Sequence, residues 1–231
     1  MQEVNHRFAS GTGFALATIN LDHLVKLSAS ETFRTAYSQQ DLVVADGHPI
    51  VWLSHLARTP VELLPGSELI EPLAARAAAG GVTVALVGAT DAVLHSAAHY
   101  LEKQNPGLRV VAKISPAMGF DPEGPEADAV FSEIDASGAR LVFLAFGAPK
   151  QEILAARGRE VLPSVGFASI GAGLDFLAGS QVRAPEFMRN LAMEWLWRLM
   201  ANPRRMTMRY LKCLVILPKQ TVQALRQRID V

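Results

Sequence analysis

The sequence predicts an α/β fold, a Rossmann-like, mostly parallel sheet flanked by helices, with a basic helical appendage at its C-terminal end. Three observations carry that expectation. Short β-rich runs recur with helical stretches between them, the βαβ rhythm of a parallel sheet. The runs VTVALV, ARLVFLAF and VGFASI are apolar almost throughout instead of alternating, as in strands covered by helices on both faces. Several runs end in a glycine turn, at Gly88, Gly147 and Gly171, each followed by a plausible helix start. Ligands of open parallel sheets bind at such carboxyl ends, so the site is expected on that edge.

In chain order, strands are expected at 14–19, 42–45, 82–87, 109–114, 141–146 and 165–170. Thr18 and Asn20 fall at the end of the first, where Asn20 is either a polar site residue or the N-cap of a helix starting at Leu21. Asp46 ends the second and is followed by Gly47, His48 and Pro49 before a helix. An alanine-rich helix surrounds 74–79, and 121–125 forms a Pro/Gly/Glu loop. After Gly179 two amphipathic stretches follow, separated at Asn202-Pro203. In the first, Phe187, Met188, Leu191, Ala192, Trp195 and Leu199 recur at helical spacing, with Arg189, Asn190, Glu194 and Arg198 on other faces. In the second, Arg205, Arg209 and Lys212 form a stripe beside Tyr210, Leu211, Leu214 and Val215. Such helices suit a lipid interface or simple packing on the body.

A formal charge of zero hides an asymmetry that divides the chain into a 1–182 core and a 183–231 appendage. The core holds 12 Lys or Arg against 19 Asp or Glu, a net −7; the appendage holds 10 against 3, a net +7. The basic segment is suited to an anionic partner or to docking on its own acidic body. No run of about 18 apolar residues exists, so no transmembrane helix is expected. The N-terminal ten residues carry no apolar signal region, which predicts a cytoplasmic chain. Cys213 is the one cysteine, which excludes an internal disulfide and a multi-thiolate zinc cluster; among apolar neighbours it reads as a small hydrophobe.

Asp46 is the carboxylate best placed for chemistry. An acid at a strand's carboxyl end, beside a glycine that lets a substrate approach, suits a general base, although an Asp-Gly pair is also an ordinary turn. His48 is an alternative base. The segment Gly147 to Glu152 combines a turn, a proline suited to a first helical position and polar groups, including Gln151, that can bind a nucleotide or start a helix. Asp175, after the loop GAG, can meet a ribose hydroxyl or cap a helix. The sequence lacks a GxGxxG after the first strand, a P-loop and a GxSxG, which weakens dinucleotide, triphosphatase and hydrolase readings. It also lacks DxD. Without a carboxylate pair for a metal, arginine is the natural group to neutralise a departing diphosphate.

These pieces resemble the WecG/TagA/CpsF glycosyltransferases, glycosyltransferase family 26. The matching stretches are Thr18-Ile-Asn20, Ala45-Asp46-Gly47-His-Pro49, Pro65-Gly66-Ser-Glu-Leu69, Leu86-Val-Gly88, Phe146-Gly-Ala-Pro-Lys-Gln-Glu152, Gly171-Ala-Gly-Leu-Asp175 through Gly179, Arg183-Ala-Pro185, Glu194-Trp-Leu-Trp-Arg198, and Pro203-Arg-Arg205 with Arg209-Tyr210. They follow the family's order over nearly the whole chain. The chain departs from the family at Leu191-Ala192-Met193-Glu194, where a Gly-Leu pair is usual, and at Trp197, where Tyr or Phe is usual.

The resemblance implies an inverting transfer from a UDP-sugar (N-acetylmannosamine, its uronic acid or glucose) to a polyprenyl-diphosphate-linked saccharide on the inner face of the membrane. Asp46 then looks like the base, and Thr18, Asn20, Gly47, Gly88, Gln151 and Asp175 like substrate contacts. Arg198 and Arg205 look like tail arginines that meet the diphosphate, and Arg209 is a further candidate substrate-binding residue. The resemblance implies no cofactor, no metal and no nucleic-acid partner; a homo-oligomer is compatible with it. The competing class is a non-catalytic, membrane-associated polysaccharide-assembly module.

Overall fold

The computed structural model describes residues 1–185, 187–188 and 191–230, apart from the side chains of Arg205 and Asp230. Its centre is a six-stranded all-parallel sheet of β1 (Phe14–Ile19), β2 (Leu42–Ala45), β3 (Val84–Gly88), β4 (Val110–Ile114), β5 (Leu141–Ala145) and β6 (Gly166–Ser169). The spatial order is β2-β1-β6-β5-β3-β4. β1 and β2 have the expected bounds, and the other four differ by one or two residues at their ends.

Contact clustering divides the chain into two compact units. The first comprises Met1–Thr18, Thr32–Val43 and Gly66–Gln181. It holds the body of the sheet with α1 (Gln2–Ser10), α3 (Glu31–Ser38), α5 (Gly66–Ala79), α6 (Asp91–Gln104), α7 (Pro125–Ser137), α8 (Lys150–Val161) and α9 (Gly173–Leu177). The apolar runs of β3, β5 and β6 are buried almost throughout because helices cover both faces. Small residues admit rings into this core: a Cβ on Gly166 would stand 2.6 Å from the Phe14 ring, and one on Gly158 of α8 would stand 2.6 Å from the Phe167 ring. Each fully buried phenylalanine contributes about 1.5–3 kcal/mol of burial free energy.

At the amino ends of the strands, Asp41 ties α1 down. Its carboxylate accepts the Ala15 amide at 2.8 Å, Arg7 Nη1 at 3.1 Å and Arg159 Nε at 3.1 Å. Sequence reading named no element before residue 14. Val4 is the one buried residue of α1, the Phe8 ring lies 6.0 Å from that of Phe14, and Arg7 adds the tie to Asp41.

The second unit comprises Ile19–Glu31, Val44–Pro65 and Val182–Val231. It holds α2 (Leu21–Ala29), α4 (His48–Leu56), α10 (Glu194–Ala201) and α11 (Pro203–Asp230), with α11 packed on α2, α4 and α10. The residues after Val182 thus cluster with two segments from the first third of the chain. Cys213 is buried on α11, as a small hydrophobe. The two amphipathic stretches do separate at Asn202-Pro203, but the first is not one continuous helix. Ala192 takes a left-handed conformation, φ 59°, and the Met193 amide bonds back to the Met188 carbonyl at 2.8 Å, so α10 starts afresh at Glu194. The faces assigned to Arg189 and Asn190 fall outside the described residues. Among the described residues, no helix is long and apolar enough to cross a membrane.

Candidate active site

In the second unit, β2 delivers Asp46 to the carboxyl end of its strand, where the Asp46 amide bonds to the Ile19 carbonyl at 2.8 Å. Gly47 follows at φ 113°, a conformation that L side chains rarely adopt, and acts as the N-cap position of α4. This turn redirects the chain within one residue. Asn20 meets Asp46 from the end of β1: its Nδ2 donates to Asp46 Oδ2 at 3.1 Å, while its Oδ1 accepts the His23 amide at 3.1 Å and caps α2. Asn20 is thus the N-cap expected of it, and the other end of its amide is turned to Asp46.

Burial pushes the Asp46 carboxyl above the ordinary aspartate range, against the opposing pull of the Asn20 hydrogen bond and of Arg198. Glu194 pushes in the same direction as burial, and Arg209 pulls weakly against it. A carboxylate perturbed mainly by desolvation, with specific charged neighbours, is a functional-site candidate. His48 lies on the first turn of α4, its ring 6.1 Å from that of Trp52.

Of the candidate site arginines in the tail, Arg198 and Arg209 are already engaged. Arg198 Nε donates to Glu194 Oε1 at 3.0 Å, and Arg198 Nη2 donates to the same oxygen. Arg209 Nη2 pairs with Asp22 Oδ2 at 3.2 Å, the same carboxylate oxygen that Lys26 reaches at 2.7 Å. Desolvation opposes ionisation of Asp22, but these two cations hold its carboxyl below the usual range. Trp195 and Tyr210 pack edge to face at 6.0 Å, and Trp197 Nε1 donates to the Val182 carbonyl at 3.2 Å. Any contact of the Arg205 side chain lies outside the described residues.

In the first unit, β3 continues outward to β4 while β5 continues the opposite way to β6, so the strand order reverses between β3 and β5. Such a switch point is where open parallel sheets bind ligands. Gly88 stands there, opposite Ala145, at φ 94°; a Cβ on it would lie 2.7 Å from the Ala145 carbonyl oxygen. Phe146, next along, stacks on Phe120 at 5.2 Å, and Lys150 Nζ donates to the Phe120 carbonyl at 2.6 Å. Pro149 is the N-cap of α8 rather than its first helical residue.

Thr18, buried near the end of β1, accepts the Tyr37 hydroxyl through its carbonyl oxygen. Gly66 at the start of α5 approaches it so closely that a Cβ would lie 3.2 Å from Thr18 Cγ2 and 3.5 Å from the Ile170 carbonyl. Gln151 on the first turn of α8 accepts the Gly171 amide on Oε1 at 2.9 Å and donates from Nε2 to Glu152 Oε1 at 2.8 Å. Asp175 does not cap α9, whose N-cap is Ala172; its Oδ1 accepts the Ser180 hydroxyl at 3.1 Å.

Within the second unit, the structure thus brings Asn20, Asp46, Arg198 and Arg209 into one electrostatic neighbourhood, with Gly47 following Asp46 in the turn into α4. Within the first, it gathers Thr18 with Gly66, and Gln151 with Gly171 and Glu152. Asp22, Glu194 and Glu152 were not singled out from sequence as site residues. The i,i+4 spacing of Glu194 with Arg198, and of Asp22 with Lys26, was a readable signal for two of them.

A family model described as the glycosyl transferase WecG/TagA/CpsF family matches residues 1–230. The chain belongs to that family of glycosyltransferases.

Proposed function

With membership of the WecG/TagA/CpsF glycosyltransferases as the premise, we propose that this chain transfers a sugar, with inversion, from a UDP-sugar to a hydroxyl of a polyprenyl-diphosphate-linked saccharide. The donor is of the N-acetylmannosamine, N-acetylmannosaminuronic acid or glucose type, and the product enters cell-surface polysaccharide synthesis. Asp46 accepts the proton of the acceptor hydroxyl as that oxygen attacks the anomeric carbon. The bond from that carbon to the diphosphate breaks on the opposite face, and its electron pair leaves with UDP. A positioned base contributes about 10²- to 10⁴-fold, and positioning and charge stabilisation supply the rest.

One observation carries this reading: the Asp46 carboxylate is raised by burial, the direction that makes it a stronger base, while Asn20 holds one of its oxygens. Arg198 and Arg209, with Arg205, are assigned to the departing diphosphate, where permanent charge replaces a metal ion. Thr18, Gly47, Gly88, Gln151 and Asp175 are assigned to substrate binding. The exposed Leu211, Leu214 and Val215 beside Lys212 on α11 support a peripheral position on an anionic inner membrane face.

The test is a donor panel assayed with a synthetic lipid-diphosphate acceptor, following UDP release with and without chelator. Acceptor-dependent release from one UDP-sugar, unchanged by chelator, is expected. Absence of UDP binding by calorimetry would favour the non-catalytic assembly module instead.

A further inference from the structure

Glu152 is a glutamate with 0 % of its surface exposed, and the reaction described above does not use it. Fully buried carboxylates are rare unless something compensates them. Part of the compensation is local: Glu152 lies in the first turn of α8, where the helix dipole favours negative charge. A directional contact adds to it. Gln151 Nε2 donates to Glu152 Oε1 at 2.8 Å, and Gln151 Oε1 accepts the Gly171 amide at 2.9 Å.

The Gln151 amide meets the Glu152 carboxyl through its nitrogen, Nε2, which can only donate. That fixes which end of the amide faces Gly171, and it is the end that can accept the N–H. Gln151 itself is 3 % exposed, and its second Nε2 hydrogen has no partner among the described residues. Behind the pair, Gln40 Nε2 donates to the Glu152 carbonyl oxygen at 3.1 Å and so pins the start of α8. Ahead of it, the Gly171 loop is packed tightly: a Cβ on Gly173 would fall 2.3 Å from Ile70 Cδ1.

The geometry points to Glu152 as a positioning residue for the donor nucleotide-sugar: it locks the Gln151 amide in one orientation, which holds the Gly171 loop and presents one N–H to the donor. This rests on the proposed UDP-sugar specificity. The N–H suits an oxygen-rich acceptor such as a diphosphate or sugar hydroxyl.

Glu152→Gln keeps the shape but allows either end of its own amide to face Gln151, which removes the lock. In the full-length protein, KM for the UDP-sugar should rise about tenfold, the equivalent of one charge-assisted hydrogen bond, with kcat within about twofold. Gln151→Ala should do the same, and the double variant should be no worse than Gln151→Ala alone, because Glu152 acts through Gln151. An unchanged KM for Glu152→Gln, or additive losses in the double variant, would overturn the proposal.

A second readout needs no substrate. Hydrogen exchange of the Gly171 amide should be slow in the wild type and at least about tenfold faster in Glu152→Gln at equal global stability; equal exchange overturns the relay. If Glu152→Gln fails to fold, Gln151→Met preserves volume and must itself deprotect Gly171, or the relay is wrong. A wild type that binds no UDP-sugar would refute the proposed function while the exchange comparison still reports on the lock.

Discussion

Asn20 spans two elements with one amide: its nitrogen lies 3.1 Å from Asp46 Oδ2 and its oxygen lies 3.1 Å from the His23 amide of α2. The helix cap therefore sets the orientation of the group that holds the candidate base. Asn20→Ala removes both contacts. The lost cap costs about 1 kcal/mol. The lost hydrogen bond to the ionised carboxyl lets the Asp46 pKa climb further, so the acid limb of the kcat/KM profile moves to higher pH. Asn20→Ser retains a capping oxygen, and its pH limb should shift without the loss in melting temperature. A profile identical to wild type in both variants would sever Asn20 from the base.

Asp46→Asn should lower kcat about 10²- to 10⁴-fold while the chain stays folded. It should also raise the melting temperature near neutral pH. The folded-state pKa lies above the unfolded value of about 4, so native stability falls as pH rises from there through the folded pKa. Asparagine carries no such penalty. The stability gap should therefore be absent at pH values below about 4 and full above the folded pKa; melts at several pH values would show it. Wild-type turnover in a folded Asp46→Asn protein would exclude Asp46 as the base.

Gly88→Ala tests the turn at the β3/β5 switch point. The position combines φ 94° with a Cβ that would lie 2.7 Å from the Ala145 backbone oxygen, which cannot rotate away. Strain of this kind costs on the order of 1–3 kcal/mol, readable as a lower denaturation midpoint with unchanged slope. Stability equal to wild type would mean that the turn relaxes freely.

The parts of the fold that were legible in the sequence are those with a continuous apolar signal. The runs at β1 and β2 have the expected bounds because each stops against a polar residue, Asn20 or Asp46, that marks the strand's carboxyl end. The break at Ala192 carries no such mark, since alanine ordinarily favours the helix, and its left-handed φ accompanies the Met193 to Met188 hydrogen bond. The contacts of Glu152 were not legible either. A glutamate at the start of a helix reads as a solvated first-turn acid, and only the fold reveals that it is buried against Gln151. The position of Asp46 after β2 is legible in the sequence, but the direction of its pKa depends on what surrounds it.

The arginines of the basic tail divide into different local partnerships. Arg198 is braced by Glu194 within α10, whereas Arg209 ties α11 to Asp22 of α2. Truncation before Pro203 would remove Arg209 and uncover the faces of α2 and α4 that α11 covers, so loss of activity in that variant would mix folding with chemistry. Arg198→Met is the cleaner variant, because exposed i,i+4 pairs contribute only about 0.3–0.5 kcal/mol and the fold should survive. With Arg198 gone, Asp46 loses a cation that lowers its pKa, so the acid limb should move to higher pH. Removal of a group that stabilises the departing diphosphate should also cost about 10²- to 10³-fold in kcat. Arg198→Lys keeps the charge but not the planar fork, and should fall between. The decisive comparison uses a water-soluble acceptor. A tail that serves only as an anchor would leave Arg198→Met fully active on that substrate, whereas a tail that completes the chemistry would show the same deficit on soluble and vesicle-bound acceptors.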